Sequence, residues 1–364
     1  MGKNKLRDLN ERILSIRDLH IEFTTDKGRM EAIRGIDFDL FQKETVAIVG
    51  ESGSGKSVTM RAIMGILAKN GKITEGSIKY WDKANQNKLY EITALSNIQI
   101  RKYLAGKRIA MIFQDPMTSL DPTMKIGIQI RETILMHRRM SKDAAKKLSI
   151  RYLSDVGIHN AELVYGQYPN QLSGGMRQRV VIAIALSCQP DILICDEPTT
   201  ALDVTVQDRI LNLIRDLQEK NGFSVIFITH DLGVVAKVAD YVAVMYAGRI
   251  VEKGTVNEIF YDPRHPYTWG LLSSMPDLHT EAGTLHPIPG TPVDLFQPIP
   301  GDAFAPRNPY ALNIDFREAP PQYDVGGKHR VSSWLLDERA PEVKMPEDLA
   351  KRIQLMKKEA GLDE

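Results

Sequence analysis

Short apolar runs recur along the first two thirds of the chain. Four of them occupy residues 45–49, 109–113, 191–195 and 224–228. Nearly continuous apolar runs of roughly four to eight residues are typical of strands buried on both faces, as in a parallel sheet. The pattern therefore predicts a central parallel sheet.

Between these runs, apolar residues recur at helical spacing. Ile210, Leu213, Ile214 and Leu217 repeat at i, i+3, i+4 and i+7, which places them on one face of a helix. Gly222 follows them, at a point where a helix commonly ends. Alternating strands and helices indicate an α/β fold.

Two regions interrupt this alternation. Residues 13–40 alternate apolar and polar side chains around a turn at 26–28, which predicts an antiparallel β patch. Residues from about 90 to 175 are richer in helical patterns. We expect them to form a helical subdomain inserted into the α/β core.

The composition changes near residue 262. Seven prolines fall within the 23 residues from Pro287 to Pro309, a density that neither a helix nor a central strand tolerates. Aromatic residues are nevertheless frequent there, which favours a packed segment over a disordered linker: Phe296, Phe304, Tyr310, Phe316 and Trp334. The pattern of residues 346–360 predicts an amphipathic helix that is charged and solvated.

These patterns divide the chain into four parts. Residues 1–12 form a tail and residues 13–261 an α/β domain. Residues 262–336 form an irregular C-terminal extension, and residues 337–364 a charged, helical tail.

Composition and charge narrow the classes of function. The chain has 47 Lys and Arg against 46 Asp and Glu, a balance that argues against a dedicated nucleic-acid binder. The N-terminus lacks the apolar core of a signal peptide, and no apolar run reaches the roughly 20 residues of a membrane helix. We expect a protein that stays in the cytosol and reaches a membrane only through a partner. Cys188 and Cys195 are interpreted as buried thiols in a reducing compartment.

A phosphate-binding loop is the most specific motif. One segment matches G-x-x-x-x-G-K-[ST] in full: Gly50-Glu51-Ser52-Gly53-Ser54-Gly55-Lys56-Ser57. It follows a predicted strand and opens a predicted helix, which is the setting the motif requires. Glycines let backbone N–H groups turn toward an anion, Lys56 supplies a charge for the β- and γ-phosphates, and the Ser57 hydroxyl can bind Mg²⁺.

Two acids end a buried strand downstream. Asp196 and Glu197 follow the apolar run 192–195, where a carboxylate is costly unless it has a role. Beside a phosphate loop, Asp196 would hold Mg²⁺, and Glu197 would polarise the water that attacks the γ-phosphate. A structural role, capping the next loop, is the alternative.

The order of further motifs resembles the ATP-binding cassette (ABC) ATPases, whose fold is a phosphate-loop NTPase core. Their signature sequence LSGGQ is matched, with Met in the last place, by Leu172-Ser173-Gly174-Gly175-Met176, which begins 24 residues before Asp196. The resemblance implies that this segment binds the γ-phosphate of an ATP held by the opposite subunit. We expect the Met at position 176 to weaken phosphate binding little, because the phosphate contact relies on Ser173 and Gly175.

The remaining elements of that family can be assigned in the same way. Gln114 resembles the Q-loop glutamine, which reaches Mg²⁺ and the attacking water. His230 resembles the switch histidine near the γ-phosphate. The D-loop, which crosses the dimer interface, corresponds to Ala201-Leu202-Asp203. Phe23 resembles the aromatic residue that stacks on adenine, although a core role is the alternative.

The resemblance extends to one branch, the D-type ATPase subunits of oligopeptide and dipeptide importers, over roughly residues 13–336. It rests on the phosphate loop, on Gln114-Asp115-Pro116-Met117-Thr118-Ser119-Leu120-Asp121-Pro122 and on His265-Pro266-Tyr267-Thr268. The extension agrees through Ile288-Pro289-Gly290-Thr291-Pro292, Pro300-Gly301 and Ala305-Pro306-Arg307.

The extension also departs from that branch. Many members carry four cysteines that bind an iron–sulfur cluster, and the matching positions here are Asp302, Asn308, Asp315 and Ser333. Such a cluster requires thiolate ligands, so we expect none, with the extension held by packing alone.

The resemblance implies a machine with several subunits at the cytoplasmic face of the cell membrane. Two ATPases, this chain and a related one, would close on two ATP molecules and move two transmembrane permease subunits, while an external binding protein delivers peptide. Alternatives are the same machine carrying nickel or a glycan, a soluble ABC ATPase of DNA repair or translation, and a non-catalytic binding module. The presence of both Glu197 and His230 argues against the last.

Overall fold

The computed structural model describes residues 11–200, 202–275 and 288–362. Ala201 of the predicted D-loop therefore lies outside the described residues, as do residues 1–10 of the predicted N-terminal tail.

The described strands form two sheets. They are, in chain order, β1 (Arg12–Thr25), β2 (Gly28–Phe41), β3 (Thr45–Val49), β4 (Gly71–Asp82), β5 (Lys88–Glu91), β6 (Ile109–Ile112), β7 (Ile192–Asp196), β8 (Ser224–Thr229), β9 (Tyr241–Tyr246), β10 (Arg249–Thr255), β11 (Gln322–Gly326) and β12 (His329–Ser332). The four apolar runs of the sequence correspond to β3, β6, β7 and β8, which confirms these predicted strands.

The main sheet has the order β11-β12-β10-β9-β3-β8-β7-β6. Strands β9, β3, β8, β7 and β6 are parallel, and every residue of β3, β7 and β8 is buried. The carboxyl ends of parallel strands meet at one edge of a sheet, where ligands of open α/β sheets bind. The predicted phosphate loop, Gln114, the Asp196–Glu197 pair and His230 lie at or just after the ends of β3, β6, β7 and β8, so the sheet brings them to one edge.

The smaller sheet is antiparallel, with the order β2-β1-β4-β5. Its β1–β2 hairpin turns between Thr25 and Gly28, which confirms the predicted β patch and its turn. The apolar faces of both sheets share one core that includes Ile16, Ile48 and Ile194.

The described helices are α1 (Lys56–Ile63), α2 (Asn97–Tyr103), α3 (Pro116–Ser119), α4 (Ile126–His137), α5 (Lys142–Asp155), α6 (Ala161–Tyr165), α7 (Gly174–Ser187), α8 (Val204–Asn221), α9 (Leu232–Val238), α10 (Val256–Tyr261), α11 (Pro266–Ser273) and α12 (Glu347–Glu359). The predicted helix around Ile210–Leu217 is part of α8, and it ends at Gly222 with φ 77°. The region 90–175 holds α2 to α6, but it also contains β6 of the main sheet, so the helical insertion proper is α3 to α6.

The C-terminal extension is more regular than the sequence predicted. Strands β11 and β12 form a hairpin that extends the main sheet through β10, although residues 262–336 were predicted to be irregular. A polar–apolar alternation around Gly326-Gly327 was the signal that could have identified this hairpin. Helix α12 confirms the predicted C-terminal helix, but it is not merely solvated, because Leu349 and Ile353 are 3% exposed and pack in a core with Phe304.

Among residues 11–200, 202–275 and 288–362, no helix combines the length and the apolar character needed to cross a membrane.

Candidate nucleotide-binding site

The predicted phosphate loop joins β3 to α1 and has the backbone shape of an anion cradle. Gly53 and Gly55 adopt φ values of 81° and 103°, a region that favours glycine. A Cβ atom at Gly50 would lie 2.0 Å from the Met245 carbonyl oxygen. The glycines therefore permit both the turn and its close approach to β9.

Lys56 folds back onto this loop. Its ammonium group donates hydrogen bonds to the carbonyl oxygens of Gly50, at 2.7 Å, and Glu51, at 2.9 Å. Burial lowers the pKa of Lys56, while the carboxylates of Glu197 and Asp196 oppose that shift. A buried cation with carbonyl partners is suited to meet a phosphate that enters the loop.

Asp196 ends β7 beside the phosphate loop. The Ser57 hydroxyl donates a hydrogen bond to Asp196 Oδ1 at 2.8 Å, and burial raises the pKa of the Asp196 carboxyl. A hydroxyl and a carboxylate are the hard oxygen donors that Mg²⁺ prefers. This pair fits a magnesium ion bound together with phosphate.

Three side chains surround the Glu197 carboxylate. Gln114 Nε2 and Thr200 Oγ1 each donate to Glu197 Oε2 at 3.0 Å, and His230 Nδ1 lies 3.4 Å from Glu197 Oε1. Glu197 has φ 47°, a left-handed conformation that is uncommon for a residue with a side chain and is often found at functional sites. The structure thus gathers Gln114, Glu197 and His230 from the ends of three strands.

The predicted signature begins α7. The Ser173 hydroxyl caps this helix by accepting a hydrogen bond from the Met176 N–H at 3.3 Å, and Ser173 and Gly174 are exposed. Leu202 and Asp203 of the predicted D-loop lie beside it: a Cβ at Gly174 would meet Leu202 at 3.9 Å, and Asp203 caps α8. Leu172, in contrast, is buried and fixes the loop to the helical core.

A cleft of about 510 Å³ opens at the phosphate loop. Its lining includes Glu51 to Val58, Gln114 and Glu197, but the signature residues are not among the residues that line it. The exposed start of α7 is therefore not part of the cleft in its own chain. A larger cleft, of about 610 Å³, lies at the opposite ends of the strands and contains none of the motif residues.

Phe23 does not line this cleft either. Its ring packs beside Gly71, where a Cβ would be 2.5 Å from it, and it is partly buried against the core. Its partner in the β1–β2 register is Met30, which does line the cleft. Stacking of Phe23 on adenine stays a prediction.

The sequence did not predict several residues at this site. Thr200 contacts Glu197, and the segment 292–296 of the extension lines the cleft. Arg307 forms an ion pair with Glu51 of the phosphate loop at 2.6 Å. The expectation that packing alone holds the extension was therefore wrong. A cation beside a proline-rich segment gave no local signal for its distant partner.

The four positions aligned with the family's cysteines do not fit an iron–sulfur cluster. Each side chain instead accepts a hydrogen bond from a nearby backbone N–H: Asp302 from Phe304, Asn308 from Tyr310, Asp315 from Leu312 and Ser333 from Leu335. These local turns organise the segment with oxygen acceptors, whereas a cluster needs thiolates.

Comparison with protein families gives two matches. A model described as "ABC transporter" matches residues 33–200, which include the phosphate loop, the signature and the Asp196–Glu197 pair. A model described as "Oligopeptide/dipeptide transporter, C-terminal region" matches residues 251–314, which include most of the extension.

Curated relatives are similar over nearly the whole chain. The oligopeptide transport ATP-binding protein AmiE of Streptococcus pneumoniae is 52% identical over 349 residues, 96% of each chain. The oligopeptide transport ATP-binding protein OppD of Bacillus subtilis is 54% identical over 345 residues, 94% of each. The dipeptide transport ATP-binding protein DppD of Lactococcus lactis subsp. cremoris is 53% identical over 343 residues, 94% of this chain and 96% of that protein.

Solved structures share the cassette. A dimer of the ATP-binding cassette MJ0796 bound to ADP and phosphate has a TM-score of 0.58 and 25% identity, over 67% of this chain and 99% of that one. CbiO1 of Clostridium perfringens, part of an ABC transporter complex, has a TM-score of 0.57 and 28% identity, over 69% of this chain and 92% of that one.

Proposed function

The chain belongs to the ABC transporter family, in the branch of the oligopeptide and dipeptide transport ATP-binding proteins, and from that premise we propose that it powers a peptide importer. Members of the family couple ATP hydrolysis to transport. The observation that carries the proposal of hydrolysis is the convergence of Gln114, Thr200 and His230 on the Glu197 carboxylate beside the phosphate loop.

The proposed chemistry starts from a bound ATP whose β- and γ-phosphates lie against Lys56 and the loop N–H groups. Glu197 polarises the attacking water and accepts its proton. Gln114 and His230 orient that carboxylate and the water. Gln114 and Thr200 already hold Glu197 Oε2 and His230 lies beside Oε1, so little reorganisation is needed when ATP arrives.

Ser57, Asp196 and Gln114 would hold the magnesium ion. When bound, the ion neutralises charge on the β- and γ-phosphate oxygens. The hydrogen bond between Ser57 and Asp196 supports this assignment because both oxygens already converge beside the loop.

A complete site needs two chains. The signature residues Leu172 to Met176, and Leu202 and Asp203 of the D-loop, are not among the residues that line the cleft of their own chain, and Ser173 is exposed at the start of α7. We propose that they contact ATP bound to a second, related ATPase, and that this pair drives two permease subunits at the cytoplasmic face of the membrane. An extracytoplasmic peptide-binding protein completes the importer.

The proposed solute is a peptide. Peptide is supported by the match of residues 251–314 and by relatives named for oligopeptide or dipeptide transport. Nickel or a glycan is the alternative within the same machinery, since the residues of the ATP site do not contact the solute.

The test is extraction of the tagged full chain from its native membrane in a mild detergent, followed by identification of its partners by mass. We expect two polytopic membrane proteins and a second ATPase. The recovered complex, supplied with its binding protein, should hydrolyse ATP faster when peptide is added than when nickel or a glycan is added. Recovery of the chain alone, or with DNA or ribosomes, would contradict the transporter proposal.

A further inference from the structure

Arg307 of the C-terminal extension forms a two-pronged contact with the phosphate loop. Its two terminal nitrogens donate to the two carboxylate oxygens of Glu51 at 2.6 and 3.0 Å. The Arg307 side chain is 4% exposed and that of Glu51 is 28% exposed. Bidentate Arg–carboxylate pairs are among the strongest and most directional ion pairs in proteins.

The same guanidinium group also organises the extension. Arg307 Nε donates to the Pro289 carbonyl at 2.8 Å, and a terminal nitrogen reaches the Ile288 carbonyl at 3.3 Å. Residues 292–296, three to seven positions after Pro289, line the same cleft as the phosphate loop. One side chain therefore connects the loop that receives phosphate with a wall of the cleft that belongs to the extension.

Aromatic residues support this connection. Phe304 packs edge-on against Tyr246 and Tyr267, with ring centroids 5.3 Å apart in each case. The Tyr267 hydroxyl accepts a hydrogen bond from the Glu51 N–H at 2.8 Å. Glu51 is thus held through its backbone as well as its carboxylate.

The position of Glu51 raises an electrostatic problem. Its carboxylate belongs to a loop that must receive a polyphosphate, and like charges close together in a partly buried cleft repel each other. An ion pair with Arg307 makes the two side chains neutral together. Without Arg307, the Glu51 carboxylate would lose its ion-pair partner and would add its negative charge to a cleft that must receive the nucleotide.

We propose that Arg307 is a positioning residue of the nucleotide site, which acts through Glu51. It compensates the Glu51 carboxylate and holds it beside the cleft, so the affinity for a nucleoside triphosphate depends on the C-terminal extension. The inference rests on ATP binding at the phosphate loop, which is part of the proposed function, and it does not depend on the transported solute.

The test is a double-mutant cycle in the purified full chain. Dissociation constants for MgATP and MgADP are measured at low and at high salt in the wild type, Arg307→Gln, Glu51→Gln and the double variant. The affinity for ATP should fall when the net charge of the residues at positions 51 and 307 becomes negative. Arg307→Gln should bind ATP about tenfold more weakly than the wild type does. Its affinity for ADP should fall by less, because ADP carries less charge. The difference should shrink in high salt.

The other variants separate charge from packing. The double variant is again neutral and should recover ATP affinity to within about threefold of the wild type, while Glu51→Gln alone should bind no more weakly than the wild type. A loss that persists in the double variant, or that is equal for ATP and ADP, would overturn the proposal, because a role in packing alone does not depend on Glu51.

Arg339→Gln is the matched control, because it removes an exposed arginine that pairs with Asp337 beyond the extension; it should bind ATP like the wild type.

If Arg307→Gln does not fold, Arg307→Lys decides instead. It keeps the charge but cannot form the fork, so ATP affinity should stay within about threefold, and a tenfold loss would assign Arg307 to packing. If the wild type itself does not bind ATP, the proposed function fails as well, whereas wild-type binding with an unaffected Arg307→Gln contradicts this inference alone.

Discussion

At the scale of single residues, the site depends on ionisable side chains that are buried, although charged groups are usually exposed to water. Asp196 and Lys56 are buried, with pKa shifts that burial drives toward their neutral forms. Each has a nearby group that stabilises its charged form. Ser57 donates a hydrogen bond to Asp196, and the carboxylates of Glu197 and Asp196 favour the charged Lys56. This arrangement is typical of groups retained for chemistry and not for stability.

Replacement of Glu197 by Gln should separate hydrolysis from binding. The amide cannot accept the proton of the attacking water, so we expect ATP turnover by the assembled complex to fall at least 10²- to 10³-fold, while ATP affinity stays within about threefold. Turnover and equilibrium binding are measured on the same preparation. Glu219→Gln, an exposed acid on α8, is the control. Turnover at the parent rate would show that Glu197 is not the water-polarising residue.

The buried carboxyl group of Asp302 should make the free energy of unfolding depend on pH. Burial raises the pKa of its carboxyl to about 6, with the hydrogen bond from the Phe304 N–H opposing the shift, Asp315 adding to it, and Arg249 and Arg34 opposing it. A carboxyl whose pKa exceeds the unfolded value of about 3.9 binds protons more tightly when folded. Its ionisation therefore lowers the free energy of unfolding as pH rises from about 4 to 6, and the full penalty remains above that window.

Asp302→Asn removes this penalty and keeps an oxygen acceptor for the Phe304 N–H. We expect the variant to be more stable than the wild type by about 1–3 kcal/mol at pH 7.5, with the difference vanishing near pH 4. Thermal or urea unfolding across that pH range measures it. A difference that does not change with pH would contradict the assignment of the proton to Asp302.

At the scale of elements, the functional motifs also serve as helix caps. Ser173 accepts from Met176 N–H at the start of α7, Asp203 from Val206 N–H at the start of α8, and Asp231 from Gly233 N–H at the start of α9. Side-chain oxygens satisfy N–H groups that a helix leaves unpaired at its first turn. These residues fix where each helix begins, and thereby place the signature, D-loop and switch regions.

The end of α8 gives a test of backbone preference. Gly222 adopts φ 77° in open surroundings, where a Cβ atom would meet only Lys43 Cε, at 3.5 Å. Gly222→Ala should therefore lower the free energy of unfolding by about 1 kcal/mol through backbone strain alone. Gly166→Ala is the matched control, since that glycine ends α6 at φ −86° and should change stability by less than about 0.5 kcal/mol. Chemical unfolding distinguishes them, and equal effects would contradict the argument.

At the scale of the whole molecule, the extension is packed into the cassette. One core joins Val244 of the main sheet, Tyr267 of α11, Phe304 of the extension and Leu349 of α12. Arg34, on β2, also donates to the Ile299 carbonyl at 3.1 Å. A segment rich in proline can be stable in this position because its aromatic side chains supply buried area that compensates for the lack of backbone pairing.

Phe304 is the centre of this packing, so Phe304→Ala should weaken it. We expect a loss of about 3–5 kcal/mol, the usual cost of removing a buried phenyl group, and faster proteolysis within residues 288–316. Phe316→Ala, at a ring that is 53% exposed in the same extension, is the control and should have little effect. Thermal unfolding and limited proteolysis are measured together. Equal behaviour of the two variants would show that the extension is held mainly by its polar contacts.

The sequence by itself determined the local structure and most of the site. Apolar runs and helical spacing depend on neighbours within a few residues, so β3, β7, β8 and α8 could be predicted from the chain alone. The motif residues Lys56, Asp196 and Glu197 were assigned from local motifs, whereas the role of His230 came from the resemblance to the ABC ATPases. Since parallel strands bring their carboxyl ends to one edge of a sheet, the convergence of those residues followed from the order of the motifs.

Tertiary structure alone decided how the extension meets the cassette. Arg307 and Glu51 are 256 residues apart in sequence, and neither position carries a pattern that indicates its partner. They meet where the proline-rich segment lines the cleft beside the phosphate loop and Phe304 packs edge-on against Tyr246 and Tyr267. Contacts of this kind arise from the shape of the whole molecule, because no short-range periodicity specifies which distant surfaces will meet.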